Sequence, residues 1–235
     1  MTPTMEQDRT QATMSRRHVF VTGGTGYLGR PLIRELLARG HSVRSLVRAG
    51  SASRLPAGTE AVVGDPLAAF ETLIPPADTL VHLVGTPHPS PLKAREFREV
   101  DLASIRACVA AAKHANVRHL VYVCVAHPAP AMKAFIEVRK QGEALIAASG
   151  LPATILRPWY VLGPAHRWPC ALLPVYKLLE TLPWTRESAL RLGLVSLQQM
   201  TAALVAAVED PIDGVRFAGV PEIRAAGLKI RIGNP

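Results

Sequence analysis

His18-Val-Phe-Val-Thr22-Gly23-Gly24-Thr25-Gly26-Tyr27-Leu28-Gly29-Arg-Pro-Leu-Ile-Arg-Glu-Leu-Leu-Ala-Arg39 is the stretch on which the fold turns. A short apolar strand runs into a turn with glycines three apart. Leu28, Leu32 and Leu36, with Ile33 and Leu37, then recur at helical spacing until Gly40 supplies the stop. Glycines at this spacing are weak evidence alone, but a strand before them and a helix behind them is the context a phosphate-binding turn requires. Gly23 lets the chain turn tightly off the strand, Gly26 lets backbone approach a pyrophosphate, and Gly29 lets the helix pack closely on the sheet. The helix start adds free N–H groups and the positive end of a dipole.

On the C-terminal side the alternation continues. Ser42–Val47, Glu60–Gly64, Asp78–Val84, Arg118–Val125 and Ala153–Arg157 read as strands. Ala94–Ala115 and Ala131–Ser149 read as helices, the second ended by Gly150 and Pro152. Strands alternating with helices predict an α/β, doubly wound parallel sheet covered on both faces. Past Pro158 the texture changes: all three tryptophans and a run of prolines fall between Trp159 and Trp184. We expect a disordered leader over 1–16, a nucleotide-binding domain over 17–158, and a small substrate or lid region over 159–235. In that last region Ala171–Leu182 reads as a short apolar helix and Gln198–Glu209 as a surface helix. The final 25 residues read as loop with a last strand.

Composition narrows the function classes. With 235 residues, 49% hydrophobic, the chain can bury a real core and is not disordered throughout. A net charge of +9 favours anionic partners, yet the arginines are scattered, and the missing basic stripe argues against nucleic acid. Cys108, Cys124 and Cys170 show neither pairing nor metal-type spacing, and the eight histidines offer no cluster, so neither disulfide nor metal is expected. Residues 1–17 lack an apolar signal region, Met14 is an alternative start, and no run reaches the ~20 apolar residues of a membrane span. A cytoplasmic protein is expected, or one peripheral at the inner face of a membrane; the oligomeric state stays open.

Thr22-Gly23-Gly24-Thr25-Gly26-Tyr27-Leu28-Gly29 resembles the T-G-x-x-G-x-x-G fingerprint of extended and atypical short-chain dehydrogenases/reductases. Gly64-Asp65 resembles the pair whose carboxylate meets the adenine ring. Gly150-Leu-Pro-Ala-Thr-Ile-Leu-Arg-Pro158 followed by Val161-Leu-Gly-Pro164 is similar to the family's G-L-x-x-T-I-L-R-P…G-P stretch. The pattern is nearest to the branch containing NmrA-like regulators and a complex I accessory subunit. The resemblance implies a Rossmann fold and a bound nicotinamide dinucleotide. Thr22 to Gly29, Gly64, Asp65, Val84, Gly85, Arg139 and Pro158 are its expected contacts.

NAD-preferring members end the second strand in an acidic residue that holds the ribose 2′-OH, about 20 residues past the glycines. Val47-Arg48 stands there instead, and Arg48 can pair with a 2′-phosphate, so NADP is expected over the alternative, NAD. The family's proton relay is a Tyr-x-x-x-Lys pair with a serine. Phe135 and Arg139 hold the Tyr and Lys spacing, a shift by one residue gives Ile136 and Lys140, and Cys124-Val-Ala-His127-Pro128 stands where the serine belongs. The catalytic residues are therefore unknown, with His127 in reserve. Two readings remain open: an oxidoreductase or epimerase-like enzyme acting on an apolar, quinone-like or isoprenoid substrate, and a non-catalytic nucleotide-binding sensor or accessory subunit.

Overall fold

The computed structural model describes residues 16–163 and 183–232. Seven strands form one parallel sheet. β1 (His18–Thr22) lies between β2 (Ser42–Val47) and β4 (Thr79–His82), and β3 (Glu60–Val63) flanks β2. Beyond β4 come β5 (His119–Val123) and β6 (Ala153–Leu156). β7 (Tyr160–Leu162) and β8 (Leu194–Ser196) pair separately, and β9 (Val215–Ala218) returns to close the main sheet beside β6. The order β3-β2-β1-β4-β5-β6-β9 reverses direction between β1 and β4, which opens a crevice at the carboxyl ends of those strands.

The central strands β1, β4, β5 and β6 are nearly continuously buried because both faces are covered, whereas the edge strands β3 and β9 are largely exposed. Phe20, Leu80, Leu120 and Ile155 point to one side. Val19, Val21, Val81, Val121 and Leu156 point to the other. α1 (Gly29–Ala38) buries Leu32, Ile33 and Leu36 against the second side. The first side is packed by α3 (Ala103–His114) and α4 (Lys133–Ser149) through Ile105, Cys108, Ile136 and Ile146. The helix predicted over Ala94–Ala115 forms as α2 (Ala94–Glu96) and α3, joined by one widened π-type turn at Phe97–Leu102. That turn carries Phe97 and Asp101 inward. Gly150 ends α4 at φ +72°, the left-handed conformation that lets the chain leave the helix for β6.

Two expectations for the C-terminal region are corrected. The predicted surface helix is α6 (Leu197–Glu209), begun by a capping box between Ser196 and Gln199, and Met200, Leu204 and Val208 within it are fully buried. The final residues are not loop after β9, since α7 (Val220–Ile232) follows at once. It crosses α6 so closely that a side chain at Gly227 would meet Gln199 Cγ at 2.6 Å. A further helix, α5 (Pro183–Arg191), precedes β8. The predicted helix at Ala171–Leu182, Trp168, Cys170 and leader residues 1–15 lie outside the described residues. Among those described, no helix is long and apolar enough to cross a membrane.

Candidate functional site

Thr22 ends β1 buried, its hydroxyl 2.8 Å from His82 Nδ1 on β4, so it ties two strands together beneath the glycine turn. Gly23 leaves the strand at φ +78°. A side chain there would meet the Leu83 carbonyl and the Val84 nitrogen at 2.9–3.0 Å, so the turn crosses directly over the exit of β4. A Gly26 N–H bond to the Gly23 carbonyl (3.0 Å) closes the turn. Gly24 is pressed onto Ser45 and Ile33, and Gly29 onto the backbone of Gly23 and Gly24. Gly29 thus serves the turn's own packing rather than the helix–sheet contact expected of it. Gly26 differs: a Cβ would meet only the Gly23 carbonyl at 3.1 Å, and everything beyond is open cleft. The first turn of α1 has no side-chain cap and no acidic residue, and of its backbone groups Arg30 N–H is bonded to the Gly26 carbonyl (3.2 Å) and Leu32 N–H to the Leu28 carbonyl (3.2 Å), while Pro31 has none.

The cleft above this turn measures about 420 Å³. Gly23, Thr25, Gly26, Val84 and Gly85 line it on one side, with Arg48, Ser51 and Asp65 opposite. Arg48 and Asp65 are both exposed, and Asp65 Oδ1 accepts from the Leu67 N–H at 3.0 Å. The other residues expected at the cofactor lie behind the wall. Gly64 is closed in by Leu46 and Leu73, and Leu28 packs on the α1 core. The Tyr27 phenol sits against Gly163, its pKa raised by burial and by Tyr160. Pro158 is buried, its carbonyl accepting from Ala126 N–H. A narrow phosphate chain fits this site: the open face of Gly26 and the basic side chain of Arg48 line one cleft. Ser51 was missed by the sequence reading, although its place one turn beyond Arg48 could have flagged it.

Arg139 is a buried side chain rather than a free contact. Its Nη2 donates to Asp101 Oδ1 at 2.5 Å and its Nη1 to the Val123 carbonyl at 2.9 Å. Burial works to lower its pKa, but Tyr122 and Asp101 reverse this, so the guanidinium stays charged. Asp101 also accepts from Thr86 N–H (3.0 Å) and Thr86 Oγ1 (2.6 Å), beside Gly85 of the cleft. Phe135 packs on Phe97, centroids 4.9 Å apart, with the Arg139 guanidinium 5.1 Å from its ring. Ile136 is buried in the core and Lys140 is exposed.

A second cleft of about 320 Å³ opens where β5, β6 and β9 end. His127 Nε2 lies 3.4 Å from Glu143 Oε2, and Arg157 holds both Glu143 oxygens at 2.8 and 2.6 Å while stacking 3.9 Å from the Phe217 ring centroid. Burial tends to raise the Glu143 carboxyl, and the bonds from Arg157 outweigh it and hold it below the usual range. The Cys124 thiol is pushed up by burial and by Glu143. Cys124, His127 and Glu143 bring three ligand-type atoms within 4.8 Å of one another, a grouping the sequence spacing did not disclose. With Arg157 seated on the carboxylate and the thiol protonated, this is a hydrogen-bonded cluster rather than a cation cage.

Residues 23–167 match the family model described as NAD(P)H-binding. The ceramide reductase of Caulobacter vibrioides is 28% identical over 211 residues, covering 87% of this chain and 65% of its own. A second relative is the 4-hydroxy-2-methyl-3-oxo-4-farnesyl-3,4-dihydroquinoline-1-oxide ketoreductase of Stigmatella aurantiaca. It is 30% identical over 169 residues, or 61% of this chain and 50% of that one. The chain thus spans between half and two thirds of the length of these relatives. The same fold is seen in WbmH of Bordetella bronchiseptica in complex with NAD+, at a TM-score of 0.64 and 21% identity, covering 94% of this chain and 83% of that one.

Proposed function

The chain belongs to the NAD(P)H-binding family, and we propose that it is a reductase of the short-chain dehydrogenase/reductase type, preferring NADP(H) and acting on small apolar carbonyl compounds. The observation that carries the reading is the cleft whose near wall is Gly26 and whose far wall is Arg48. Gly26 and the first turn of α1 would hold the pyrophosphate, Asp65 the adenine side, and Arg48 with Ser51 the 2′-phosphate. No carboxylate ends β2 to repel that phosphate, since Val47 is followed by Arg48. Bound NADPH supplies a hydride; the protein supplies position, exclusion of water and a proton. Two relatives are named as reductases of ceramide and of a farnesyl dihydroquinoline, which supports an apolar substrate.

The Tyr–Lys positions of the superfamily relay fall on Phe135 and Arg139, an aromatic stack and a buried ion pair, which supports a reductase working without a phenol. The test is a thermal-shift comparison of NADPH, NADH and no ligand, followed by turnover with ketones and quinones. A ligand that binds only the native state raises its stability as RT ln(1 + [L]/Kd). NADPH is expected to raise the melting temperature more than NADH at equal concentration. Equal or absent shifts would refute the preference, and binding without turnover would place the protein among nucleotide-dependent accessory factors.

A further inference from the structure

The second cleft lies at the carboxyl edge of the same sheet as the first, and a chain of contacts runs from one to the other. Gly85 and Pro87 border the dinucleotide cleft; Thr86 between them is held by Asp101, Asp101 by Arg139, and Arg139 by the Val123 carbonyl at the end of β5. The loop leaving β5 then carries His127 into the second cleft. Its Nε2 faces Glu143, whose remaining capacity is taken by Arg157, so the imidazole is held by an ionised carboxylate that cannot turn away. Neither His127 Nδ1 nor Arg157 Nη1 makes a hydrogen bond to any described residue.

The lining decides what kind of oxygen these groups meet. Leu190, Phe217, Val220 and Pro221 make one wall apolar. The two arginines of the cleft are each matched, Arg157 by Glu143 and Arg191 by Glu187 at 3.3 Å, so among the described residues no unmatched guanidinium is left for an anion. A neutral carbonyl on an apolar body therefore suits the cleft better than a carboxylate. We propose that His127, held by Glu143, is the proton donor to the oxygen of an apolar ketone or aldehyde seated in this second cleft. The proposal rests on the reductase reading above and gives it the acid that Phe135 cannot be. In the step, the carbonyl carbon gains a hydride with its electron pair from the reduced dinucleotide and the C–O π pair moves to oxygen. That oxygen takes the Nδ1 proton of protonated His127. The products are the alcohol, the oxidised dinucleotide and neutral His127, which regains a proton from water.

The groups facing His127 are Glu143 from α4, Arg157 after β6, Glu187 and Arg191 from α5, and Cys124 on its own loop. Two measurements test the proposal. First, the ring nitrogens of 15N-histidine-labelled wild-type protein are followed while 2-undecanone, 4-phenylbutan-2-one or decanoate is added without dinucleotide. The ketones are expected to shift the His127 resonances and decanoate is not; an unmoved ring with both ketones overturns the proposal. Second, single-turnover oxidation of NADPH by the same ketones is compared in wild type and His127→Ala. Positioned acid catalysis contributes ~10²–10⁴-fold, so a loss of about 100-fold or more is expected, with NADPH affinity and melting temperature unchanged. Added imidazole should restore part of the rate, as it would not for a packing role. Full activity in His127→Ala, or a loss that imidazole leaves untouched, overturns it while the reductase reading stands. If wild type fails to bind NADPH, the reductase reading itself fails, and the ring-nitrogen result still reports separately on the cleft.

Discussion

Asp101→Ala is expected to be among the most damaging single substitutions outside the apolar core. Asp101 is fully buried and accepts three hydrogen bonds, two from Thr86 and one from Arg139, whose own side chain is only 9% exposed. Removing the carboxylate leaves a guanidinium in the interior with only the neutral Val123 carbonyl and Tyr122 hydroxyl beside it in place of its counter-charge. Breaking a buried pair from one side costs about 3–5 kcal/mol, most of it the uncompensated charge. At about 2–4 °C per kcal/mol for a chain of this size, the melting temperature should fall by about 6–20 °C. Asp101→Ala combined with Arg139→Met removes both charges and should recover a large part of the loss, because the double variant buries no ion at this position. Urea unfolding of the four proteins reads the cycle directly. The reasoning is refuted if Asp101→Ala costs less than about 1 kcal/mol, or if the double variant is as unstable as the sum of the singles. Since Thr86 adjoins Gly85 in the cleft wall, Asp101→Ala should also weaken the dinucleotide in calorimetry, even at temperatures where it stays folded.

Gly26→Val should abolish dinucleotide binding with little change in melting temperature, whereas Gly24→Val, which must drive into Ser45 and Ile33, should lower the melting temperature first. Arg48→Ala should weaken NADP by about 10–150-fold, the equivalent of about 1.5–3 kcal/mol for charge-assisted hydrogen bonds, and leave NAD nearly unchanged; equal losses in calorimetry would show that Arg48 does not read the 2′-phosphate. Phe135→Tyr should not by itself create strong dehydrogenase activity, because Arg139 beside it is committed to Asp101; robust NADPH turnover gained from that one change would refute this. His82 is pushed down to about 3 by burial and by Arg139, and His119 to about 4 by burial and by Arg216. Their folded pKa values lie below the unfolded one, so the unfolded chain takes up protons first. Stability is then full above pH 6.5 and falls by about 1.4 kcal/mol per pH unit for each as pH drops toward 4, His82 continuing to 3. Chemical unfolding at pH 7 and pH 5 checks this, and His82→Asn should flatten the profile.

The strand–glycine–helix unit was legible because everything that shapes it is local: Val19 to Val21 alternate between faces, and Gly23 to Gly29 meet each other or the neighbouring strand exit. Arg48 could be singled out by its distance from that unit, and Asp65 by the resemblance of Gly64-Asp65 to the family's pair. The C-terminal region could not be read the same way. α6 hides its burial behind Ala202, Ala203 and Ala207, which carry little hydrophobic signal, and β9 is a four-residue strand whose partner lies far back in the chain. The Arg139–Asp101 and His127–Glu143 contacts join α4 to distant turns, and no spacing rule reaches across such separations.

That long separation has a consequence during synthesis. β9 pairs with β6 through positions such as Thr154 and Arg216, which are 62 residues apart. At about 5–20 residues per second a ribosome needs about 3–12 s to make that interval. For that time the outer edge of β6 presents its N–H and C=O groups to whatever strand is near, the usual starting point for chain-to-chain association. Nascent copies on one message are therefore at risk from each other until Ala218 has emerged, and slower translation through residues 157–218 would lengthen the exposure in proportion.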